Sequence, residues 1–352
     1  MNSILITGGA GYIGTHLVLE LLENNFRVII ADSFANSSEK AIQRILKLVS
    51  NKKYYFGQNI KFHKGDIRDI KFLISIFEEA IRSGQHINAV IHLAGLKSVH
   101  ESIKNPSLYW DVNFNGTIKL LNIMRDFHCW NFVFSSSATV YSPELQSPLF
   151  EDMRLDPIDP YGKTKLAVEN SLRDLSKNLN EPWNIISLRY FNPIGAHPSG
   201  EIGESPLNIP SNLFPYICEV AISKREFLNI YGNDWPTKDG TCIRDFIHIM
   251  DLSEGHLAAL NYLLKENSKK SFLVVNLGTG KGYSVLELVT TFEKVNNLEI
   301  NYKFSERRKG DKAIVYSNCD LAKKLFNWEA KRNISEMCID GWHWKIKNPN
   351  GY

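Results

Sequence analysis

The sequence contains the stretch Ser3-Ile4-Leu5-Ile6-Thr7-Gly8-Gly9-Ala10-Gly11-Tyr12-Ile13-Gly14, in which an apolar run meets a glycine-rich turn. The apolar run has the β-branched content of a buried strand, and an apolar helix is predicted to follow the turn. The glycines at 8, 11 and 14 allow a tight turn, close approach of main-chain N–H groups to a ligand, and close helix–strand packing. This spacing, between a strand and a helix, predicts a binding site for the diphosphate of a dinucleotide.

Beyond this stretch, short apolar runs alternate with longer amphipathic segments. The near-continuous apolarity of the runs is typical of a parallel sheet covered on both faces. The fold class predicted is therefore α/β, a Rossmann-type doubly wound parallel sheet with a smaller mixed α/β substrate-binding lobe. Strands are predicted at Ser3–Thr7, Arg27–Ala31, Ile60–Lys64, Ala89–Leu93, Phe132–Ser135 and Ile185–Arg189, and helices at Tyr12–Glu23, Ser38–Val49, Ile70–Ile81, Leu108–Asp126 and Tyr161–Leu179.

The alternation ends near Pro193, where Pro193–Pro215 is rich in proline, glycine, serine and asparagine. Such composition is typical of loops that cross a surface around a cleft. We expect a dinucleotide-binding domain over residues 1–192 and a nucleotide-sugar-binding lobe over residues 193–352. A later segment, about 240–265, is expected to return to the first domain.

Composition excludes several classes of protein. The 352 residues carry 41 Lys+Arg against 38 Asp+Glu, a net charge of +3 with no basic arm, so no nucleic-acid partner is expected. The 22% of charged residues is ordinary for a folded protein. No apolar run approaches the ~20 residues of a membrane span. The five separated cysteines favour reduced thiols and no metal site, and with no targeting signal they lead us to expect a cytoplasmic protein.

Further candidate cofactor residues follow the predicted strands. Asp32 ends the second strand, where a carboxylate accepts hydrogen bonds from the adenosine ribose and repels a 2′-phosphate, which favours NAD over NADP. Asp66 and Ile67, after the third strand, are expected beside the adenine. The run Ala94-Gly95-Leu96-Lys97, after the fourth, offers a small-residue shelf beside the cofactor.

A tyrosine and a lysine are predicted to share one face of a helix. Asp159 and Pro160 have the character of a cap and a first helical residue, so Tyr161 and Lys165 lie one turn apart. A free tyrosine has a pKa of about 10, and a neighbouring ammonium together with an oxidised nicotinamide favours the phenolate. Ser137, which follows the fifth strand, has a hydroxyl suited to bond the oxygen that loses its proton.

Together these features resemble the extended short-chain dehydrogenase/reductase family, and within it the UDP-glucose 4-epimerases. The more specific matches are His92-Leu93-Ala94-Gly95-Leu96-Lys97, Phe134 to Tyr141, Leu188-Arg189-Tyr190-Phe191-Asn192-Pro193-Ile194-Gly195-Ala196-His197-Pro198, Asp239-Gly240-Thr241, Arg244-Asp245-Phe246-Ile247-His248 and Arg307-Arg308-Lys309-Gly310-Asp311. They span nearly the whole chain. The resemblance implies reversible epimerisation at C4 of UDP-hexoses through a 4-keto intermediate, with tightly held NAD and no metal.

The resemblance also implies roles for individual residues. It gives Tyr161 as the base, Lys165 as the group that tunes it, and Ser137 as the bridge to the sugar O4. The cofactor contacts implied are Gly8, Gly11, Tyr12, Ile13, Gly14, Asp32, Asp66, Ile67, Leu93, Ala94, Lys97, Asn113, Ser135, Tyr161, Lys165 and Tyr190. The substrate contacts implied are Lys97, Ser137, Tyr161, Phe191, Asn192, Asn212, Leu213, Asn229, Tyr231, Arg244, Arg308, Asp311 and Val315.

The sequence departs from the family pattern at three positions. Val112 stands where the family often has the first of two asparagines, so the role on the nicotinamide side is assigned to Asn113. Ser142 replaces a usual glycine. Val315 lies where the members selective for plain hexoses have tyrosine and permissive members have a small residue, so UDP-GlcNAc is expected as a further substrate.

Two alternative functions remain. A nucleotide-sugar 4,6-dehydratase needs a further acid/base pair where this chain has Ala138 and Thr139, which supply no such proton traffic. A catalytically silent NAD-binding sensor would have no need of Ser137, Tyr161 and Lys165 together. The resemblance further suggests a homodimer through Leu108–Asp126 and Tyr161–Leu179, with a UDP-sugar as ligand and no membrane partner.

Overall fold

The computed structural model describes residues 1–50, 59–207, 210, 212–265, 271–308 and 310–352. Residues 208, 209 and 211 of the predicted loop segment, and Lys309 of the last matched motif, lie outside the described residues.

A seven-stranded parallel sheet forms the centre of the first domain, with strand order β3-β2-β1-β4-β5-β6-β11. The strands are β1 (Ser3–Thr7), β2 (Arg27–Asp32), β3 (Ile60–Lys64), β4 (Ile87–His92), β5 (Asn131–Ser137), β6 (Asn184–Tyr190), β7 (Asn192–Ile194), β8 (Leu228–Tyr231), β9 (Ile243–Arg244), β10 (Phe246–His248), β11 (Ser271–Leu277), β12 (Tyr283–Ser284), β13 (Tyr302–Ser305) and β14 (Ile314–Val315). The order reverses between β1 and β4, which is where such sheets bind their ligands.

Helices cover both faces of the sheet. They are α1 (Tyr12–Glu23), α2 (Glu39–Val49), α3 (Ile70–Arg82), α4 (Val99–Lys104), α5 (Pro106–Tyr109), α6 (Gly116–Asp126), α7 (Pro160–Lys177), α8 (Leu213–Ala221), α9 (Ile249–Lys265), α10 (Val285–Asn296), α11 (Asp320–Phe326) and α12 (Ile334–Lys347). No helix among the described residues has the length and apolarity needed to cross a membrane.

Two apolar cores sandwich the sheet. On one side α1 and α2 pack with the later helix α9, and residues such as Leu17, Ile45 and Leu260 are completely buried. On the other side α3, α6 and α7 bury residues such as Leu73 and Leu172. Because both faces are covered, the strands are apolar along nearly their whole length, as the sequence predicted.

The last strand of the sheet comes from the second half of the chain. β11 pairs with β6 in parallel register, from Ser271 opposite Asn184 to Leu277 opposite Tyr190. The sequence analysis did not predict this strand. Helix α9, which leads into it, packs on α1. Most of the remaining later elements form a lobe around a core that includes Phe214, Phe292 and Met337, whereas α11 packs against α9 and β11.

The predicted helix Leu108–Asp126 is helical over its whole length, but it contains a π-helical turn that was not predicted. The structure has α5, then a π-helical turn over Trp110–Asn115, and then α6. The wider turn adds a residue to the helical repeat and turns the side chain of Asn113 inward, where it is 3% exposed.

Candidate active site

The glycine-rich turn after β1 leaves no room for side chains. Gly8 has φ of 74°, and a Cβ there would lie 2.7 Å from the main-chain nitrogen of Ala94. A Cβ on Gly14 would lie 2.3 Å from the Gly8 oxygen. Gly11 caps α1 without a side-chain hydrogen bond, so the first N–H groups of this helix, from Tyr12 onward, are left for a ligand. This cradle fits the diphosphate of NAD.

Asp32 holds the turn and the loop after β2 in place. One carboxylate oxygen accepts from the N–H of Ala10 at 2.9 Å, and the other accepts from the N–H of Phe34 at 2.9 Å and the hydroxyl of Ser37 at 2.7 Å. The side chain is nearly buried at the end of β2. The oxygen that accepts from Ala10 has a lone pair left, which fits a hydroxyl of an adenosine ribose.

Asp66 and Ile67 lie beyond the end of β3. The Asp66 carboxylate accepts a fork of hydrogen bonds from Arg68, which lowers the pKa of this aspartate. Arg68 also reaches Asp111. Ile67 is buried against Gly116. Their predicted place beside the adenine stays a prediction.

Asn113 braces the shelf after β4 against the helix α7. Its amide oxygen accepts from the Leu96 N–H at 2.8 Å, and its nitrogen donates to the Leu96 oxygen at 3.0 Å and to the Thr164 hydroxyl at 3.2 Å. The amide group is therefore largely occupied by the protein. It sets the position of Ala94 and Gly95, and its predicted contact with nicotinamide stays a prediction.

A buried histidine joins β1, β4 and α6 beneath that shelf. Burial lowers the pKa of His92 to about 3, so the ring is neutral. The Thr117 hydroxyl donates to the main-chain oxygen of Asn113 at 2.6 Å, so it accepts a hydrogen bond from Nε2 of His92. Nδ1 of His92 then accepts from the Thr7 hydroxyl. This chain fixes the end of β1, where the cofactor turn begins.

The first two turns of α7 carry the predicted catalytic pair, Tyr161 and Lys165. Asp159 is its N-cap and accepts from the Gly162 N–H at 2.8 Å, as the sequence predicted. Lys165 is 5% exposed, and its ammonium donates to the Ser135 main-chain oxygen at 2.7 Å. The same nitrogen lies 5.9 Å from the centre of the Tyr161 ring and 4.9 Å from that of Phe134.

Burial shifts both titrating groups toward their neutral forms. It raises the pKa of Tyr161 to about 12, although hydrogen bonding to Ser137 opposes the rise. It lowers the pKa of Lys165 to about 8, although the charge of Glu169 opposes the fall. The protein alone therefore holds a neutral phenol at neutral pH. The phenolate requires a further positive charge, which the ring of oxidised NAD carries.

Ser137 stands at the end of β5 with its hydroxyl held from one side. Thr139 donates to it from its own hydroxyl at 3.0 Å and from its main-chain N–H at 3.2 Å. The proton of Ser137 is thus free to point toward Tyr161 or a substrate oxygen. Ala138 packs in a small apolar cluster with Val140 and offers no ionisable group.

Tyr190, a predicted cofactor contact, is anchored behind the site. Its hydroxyl donates to Nε2 of His256, whose Nδ1 donates to the Leu252 oxygen at 2.8 Å. Burial lowers the pKa of His256 to about 4 and raises that of Tyr190, so both are neutral. The side chain also neighbours Ser135 and Tyr161.

Lys97 and Asn212 share one partner that the sequence analysis missed. The Lys97 ammonium and the Asn212 amide both donate to Oε1 of Glu204, at 3.0 Å and 2.9 Å. This carboxylate links the shelf after β4 to the start of α8. The predicted contacts of Lys97 and Asn212 with cofactor or substrate stay predictions.

The structure brings together four of the residues expected around UDP, namely Tyr231, Arg244, Arg308 and Asp311. Asp311 accepts a fork from Arg308 at 3.1 Å and 3.2 Å and lies 3.8 Å from a nitrogen of Arg244. The Arg308 guanidinium lies 5.4 Å from the centre of the Tyr231 ring. Arg244 is steadied by the main-chain oxygens of Ile243 and Lys312, each at 2.8 Å. Two cations, a carboxylate and an aromatic ring thus share one surface.

The other expected substrate residues lie at several places. Val315 packs on a small apolar cluster with Phe191, which is 6% exposed, beside Val140 and Tyr141. Other residues lie at element ends or on exposed strand positions, and these are Asn192 in β7, Asn229 in β8 and Leu213 at the start of α8.

The sequence analysis also missed Glu169. It is completely buried on α7, one turn beyond Lys165. A charged residue at the same helical spacing as Tyr161 and Lys165 was the available signal, because the inward face of a helix is otherwise apolar.

Comparisons with known proteins give a consistent picture. A family profile described as GDP-mannose 4,6 dehydratase matches residues 5–340. UDP-glucose 4-epimerase 1 of Oryza sativa subsp. japonica is 49% identical over 100% of this chain and 97% of its own length. UDP-glucose 4-epimerase of Bacillus subtilis is 47% identical over 99% of this chain and 98% of its own.

A solved structure gives the same result. The UDP-glucose-4-epimerase of Stenotrophomonas maltophila, crystallised with NAD and formylated UDP-arabinopyranose, superposes with a TM-score of 0.92. It is 40% identical, and the match covers 99% of each chain.

Proposed function

The chain belongs to the family that the GDP-mannose 4,6 dehydratase profile describes and, by its full-length relatives, to the UDP-glucose 4-epimerases, and from this premise we propose how its residues divide the work. The enzyme interconverts UDP-glucose and UDP-galactose by inverting C4, with NAD as cofactor. Beyond that relationship, one observation carries the assignment of residues. Ser137, Tyr161 and Lys165 meet at the carboxyl edge of the sheet, beside a glycine cradle that fits a diphosphate.

In this proposal the cradle of Gly8, Gly11 and Gly14 binds the NAD diphosphate through main-chain N–H groups, and Asp32 binds the adenosine ribose. When bound, NAD accepts the C4 hydride of the sugar and returns it to the opposite face, so the net reaction leaves it oxidised. Lys165, which binds the main chain of Ser135, and Asn113, which binds the main chain of Leu96, fix the segments that would contact the nicotinamide end.

Tyr161 removes the proton from the C4 hydroxyl and later restores it. Ser137 bonds the same sugar oxygen, since its proton is not used by Thr139. Burial holds the pKa of Tyr161 near 12 in the protein alone. The ionisation of Tyr161 therefore depends on the oxidised cofactor, because the phenol ionises readily only when the positively charged nicotinamide ring lies beside it.

The nucleotide half of the substrate is anchored away from the reacting carbon. Arg244 and Arg308 bind the diphosphate, Tyr231 packs near the uracil, and Asp311 accepts from the ribose hydroxyls. Strong anchoring of UDP leaves the 4-keto sugar free to rotate, which inversion requires. Asn212 and Lys97 also contact the bound ligand at the nucleotide end of the site. Each does so while it donates a hydrogen bond to Glu204.

Val315 sets the size of the sugar pocket. It is half-buried beside Phe191 and Tyr141, and its side chain is smaller than the tyrosine that the resemblance implies for members selective for plain hexoses. We propose that the pocket accepts a 2-acetamido group, so that UDP-GlcNAc and UDP-GalNAc are also interconverted.

The experiment that tests this function supplies UDP-galactose, UDP-GlcNAc and dTDP-glucose to the pure enzyme in parallel and identifies the products. UDP-galactose should give UDP-glucose, and UDP-GlcNAc should give UDP-GalNAc. A dehydrated 4-keto product from dTDP-glucose would indicate the dehydratase alternative, and no conversion at all with NAD bound would indicate a silent sensor. Ala138 and Thr139 speak against the dehydratase, because they supply no acid/base pair, and Thr139 donates to Ser137. The presence of Ser137, Tyr161 and Lys165 together speaks against the sensor.

A second copy of the chain is the proposed partner. A cavity of about 400 Å³ lies between α6 and α7, lined by Ile118, Leu121 and Leu175 with the buried ring of Trp183 beneath. These are the helices through which the resemblance implies dimerisation. Leu175→Asp should yield a monomer by light scattering, and Asn170→Asp, exposed on the same helix, should not.

The place of action proposed is the cytoplasm. The cysteines are free thiols, and Cys129, Cys218, Cys242 and Cys338 are buried. Reduced, buried thiols are typical of proteins in a reducing compartment. Imaging of the tagged full chain in its native cell is the direct test.

A further inference from the structure

Glu169 is a buried carboxylate on the helix that carries the catalytic pair. Tyr161, Lys165 and Glu169 follow one another at spacings of one turn along α7, so all three face the sheet. The side chain of Glu169 is 0% exposed. A charge at such depth is costly unless it is fully hydrogen-bonded.

The hydrogen bonds of Glu169 come from two neighbouring strands. Oε1 accepts from the Ser136 hydroxyl of β5 at 2.5 Å and from the Ser187 hydroxyl of β6 at 3.1 Å. Arg189 of β6 donates from Nε to Oε1 at 3.0 Å and from Nη2 to Oε2 at 2.7 Å. Ser136 lies between Ser135, which accepts from Lys165, and Ser137. The carboxylate thus ties α7 to the strand that ends in the catalytic serine.

Arg189 extends the connection to the segment after Ser137. Nη1 of Arg189 donates to the main-chain oxygen of Glu151 at 3.0 Å, and the guanidinium lies 4.8 Å from the centre of the Tyr141 ring. The Tyr141 hydroxyl donates to Asn276 of β11 at 2.7 Å. The buried ion pair of Glu169 and Arg189 therefore connects α7, β5 and the segment that follows Ser137.

A buried ion pair gives little net stability, because the desolvation of its two charges offsets their attraction. An apolar pair of similar size would serve packing equally well. We propose that Glu169 is a positioning residue whose pairing with Arg189 sets the depth of α7 against β5, and thereby holds Tyr161 and Lys165 opposite Ser137, while its charge stabilises the Lys165 ammonium. This proposal rests on the catalytic roles proposed above.

The charges around Lys165 agree with this role. Burial lowers the pKa of Lys165, and Glu169 is the group that raises it. The other titratable groups near the ammonium are Tyr161 on its own helix and the neutral His92 of β4. Tyr190 of β6 neighbours Tyr161, and Arg189 of β6 is paired with Glu169. Glu169 is thus the negative charge on which the protonated state of Lys165 depends.

The first experiment replaces the pair as a unit in the NAD-bound enzyme, with Glu169→Met and Arg189→Met combined. An apolar pair avoids a lone buried charge, so we expect a folded protein that retains NAD. With UDP-galactose, kcat should fall about 10- to 100-fold because the reacting groups are misplaced, while KM changes less than about twofold. In Glu169→Gln, the alkaline limb of the kcat profile should move about one pH unit lower. A double variant with wild-type kcat and pH profile would overturn the proposal.

The second experiment uses milder variants, which decide the question if the double variant does not fold. Ser136→Ala and Ser187→Ala each remove one hydroxyl from the same oxygen of Glu169, but only Ser136 belongs to the catalytic strand. We expect kcat to fall about 5- to 10-fold in Ser136→Ala and less than about twofold in Ser187→Ala. An equal fall of kcat in the two variants would contradict the proposal that the hydrogen bond of Glu169 to Ser136 of β5 positions the reacting groups. A wild-type enzyme that does not convert UDP-galactose would instead refute the proposed function, independently of these variants.

Discussion

The Lys165 ammonium donates to the main-chain oxygen of Ser135 at 2.7 Å, one helical turn from Tyr161 and out of contact with bulk solvent. This bond fixes the lysine at the end of the catalytic strand instead of letting it extend toward the surface. Its burial lowers the pKa to about 8, well below the ordinary value of a lysine. Burial in the folded chain therefore disfavours the ammonium form of Lys165 relative to the unfolded chain.

Lys165→Met should stabilise the NAD-free protein while abolishing turnover. Below pH 8 the folded chain carries a desolvated ammonium that the unfolded chain solvates, so the lysine destabilises the fold. A pKa lowered from 10.5 to about 8 corresponds to about 3 kcal/mol at most at pH 7. Between pH 8 and 10.5 the unfolded state binds more protons than the folded state, so the wild type should gain stability as pH rises. Urea unfolding at pH 7 and pH 9.5 measures both effects.

The control for that experiment is Lys163→Met, since Lys163 is exposed on the same helix. It should change the free energy of unfolding by less than about 0.5 kcal/mol at either pH. An equal response of the two variants would show that the burial of Lys165 carries no energetic cost.

Tyr161→Phe should reduce kcat by about 10³-fold, because a general base contributes 10²–10⁴ to the rate and phenylalanine has no ionisable oxygen. The ring still packs at 6.5 Å from Tyr109, so the fold and the binding of NAD should be preserved. Product analysis gives kcat, and the NAD released on denaturation gives the bound fraction. Full NAD content with wild-type turnover would rule out Tyr161 as the base.

Local signals predicted much of the fold. The strand Ser3–Thr7 and the helix Tyr12–Glu23 have the predicted bounds, because the glycine turn, the apolar strand and the helix periodicity are all encoded within a few residues. The cap at Asp159 was equally predictable, since a capping side chain needs only its own helix.

Features that depend on distant partners were not predicted. The pairing of β11 with β6 joins two segments that lie far apart in the chain. The strand itself was missed although Ser271–Leu277 is a mostly apolar run with two adjacent valines, like the strands that were predicted. The π-helical turn around Asn113 forms because the amide gains Leu96 and Thr164 as partners from two other elements. The sharing of Glu204 by Lys97 and Asn212 likewise joins two segments far apart in the chain, the loop after β4 and the connection between β7 and α8.

Asp32→Asn should relax the preference for NAD over NADP. Asparagine keeps an oxygen that can accept from Ala10 or from Phe34, so the turn after β2 is largely preserved. Loss of the negative charge removes the repulsion of a 2′-phosphate. We expect the ratio of Kd for NADP to Kd for NAD to fall about tenfold, as measured by calorimetry. Asp32→Ala, which also releases the turn, should weaken both cofactors, and an unchanged ratio in Asp32→Asn would contradict this role.

Val315→Tyr should separate the two classes of sugar substrate. Val315 packs beside Phe191 and Tyr141, and a larger ring there should occupy the space proposed for a 2-acetamido group. We expect kcat/KM for UDP-GlcNAc to fall more than about 100-fold, since overpacking costs a few kcal/mol, while that for UDP-galactose changes less than about threefold. Ile314→Tyr is the matched control, because Ile314 precedes it in the same short strand but is exposed. Parallel losses on both substrates in Val315→Tyr would show that this residue supports the site generally and does not select among sugars.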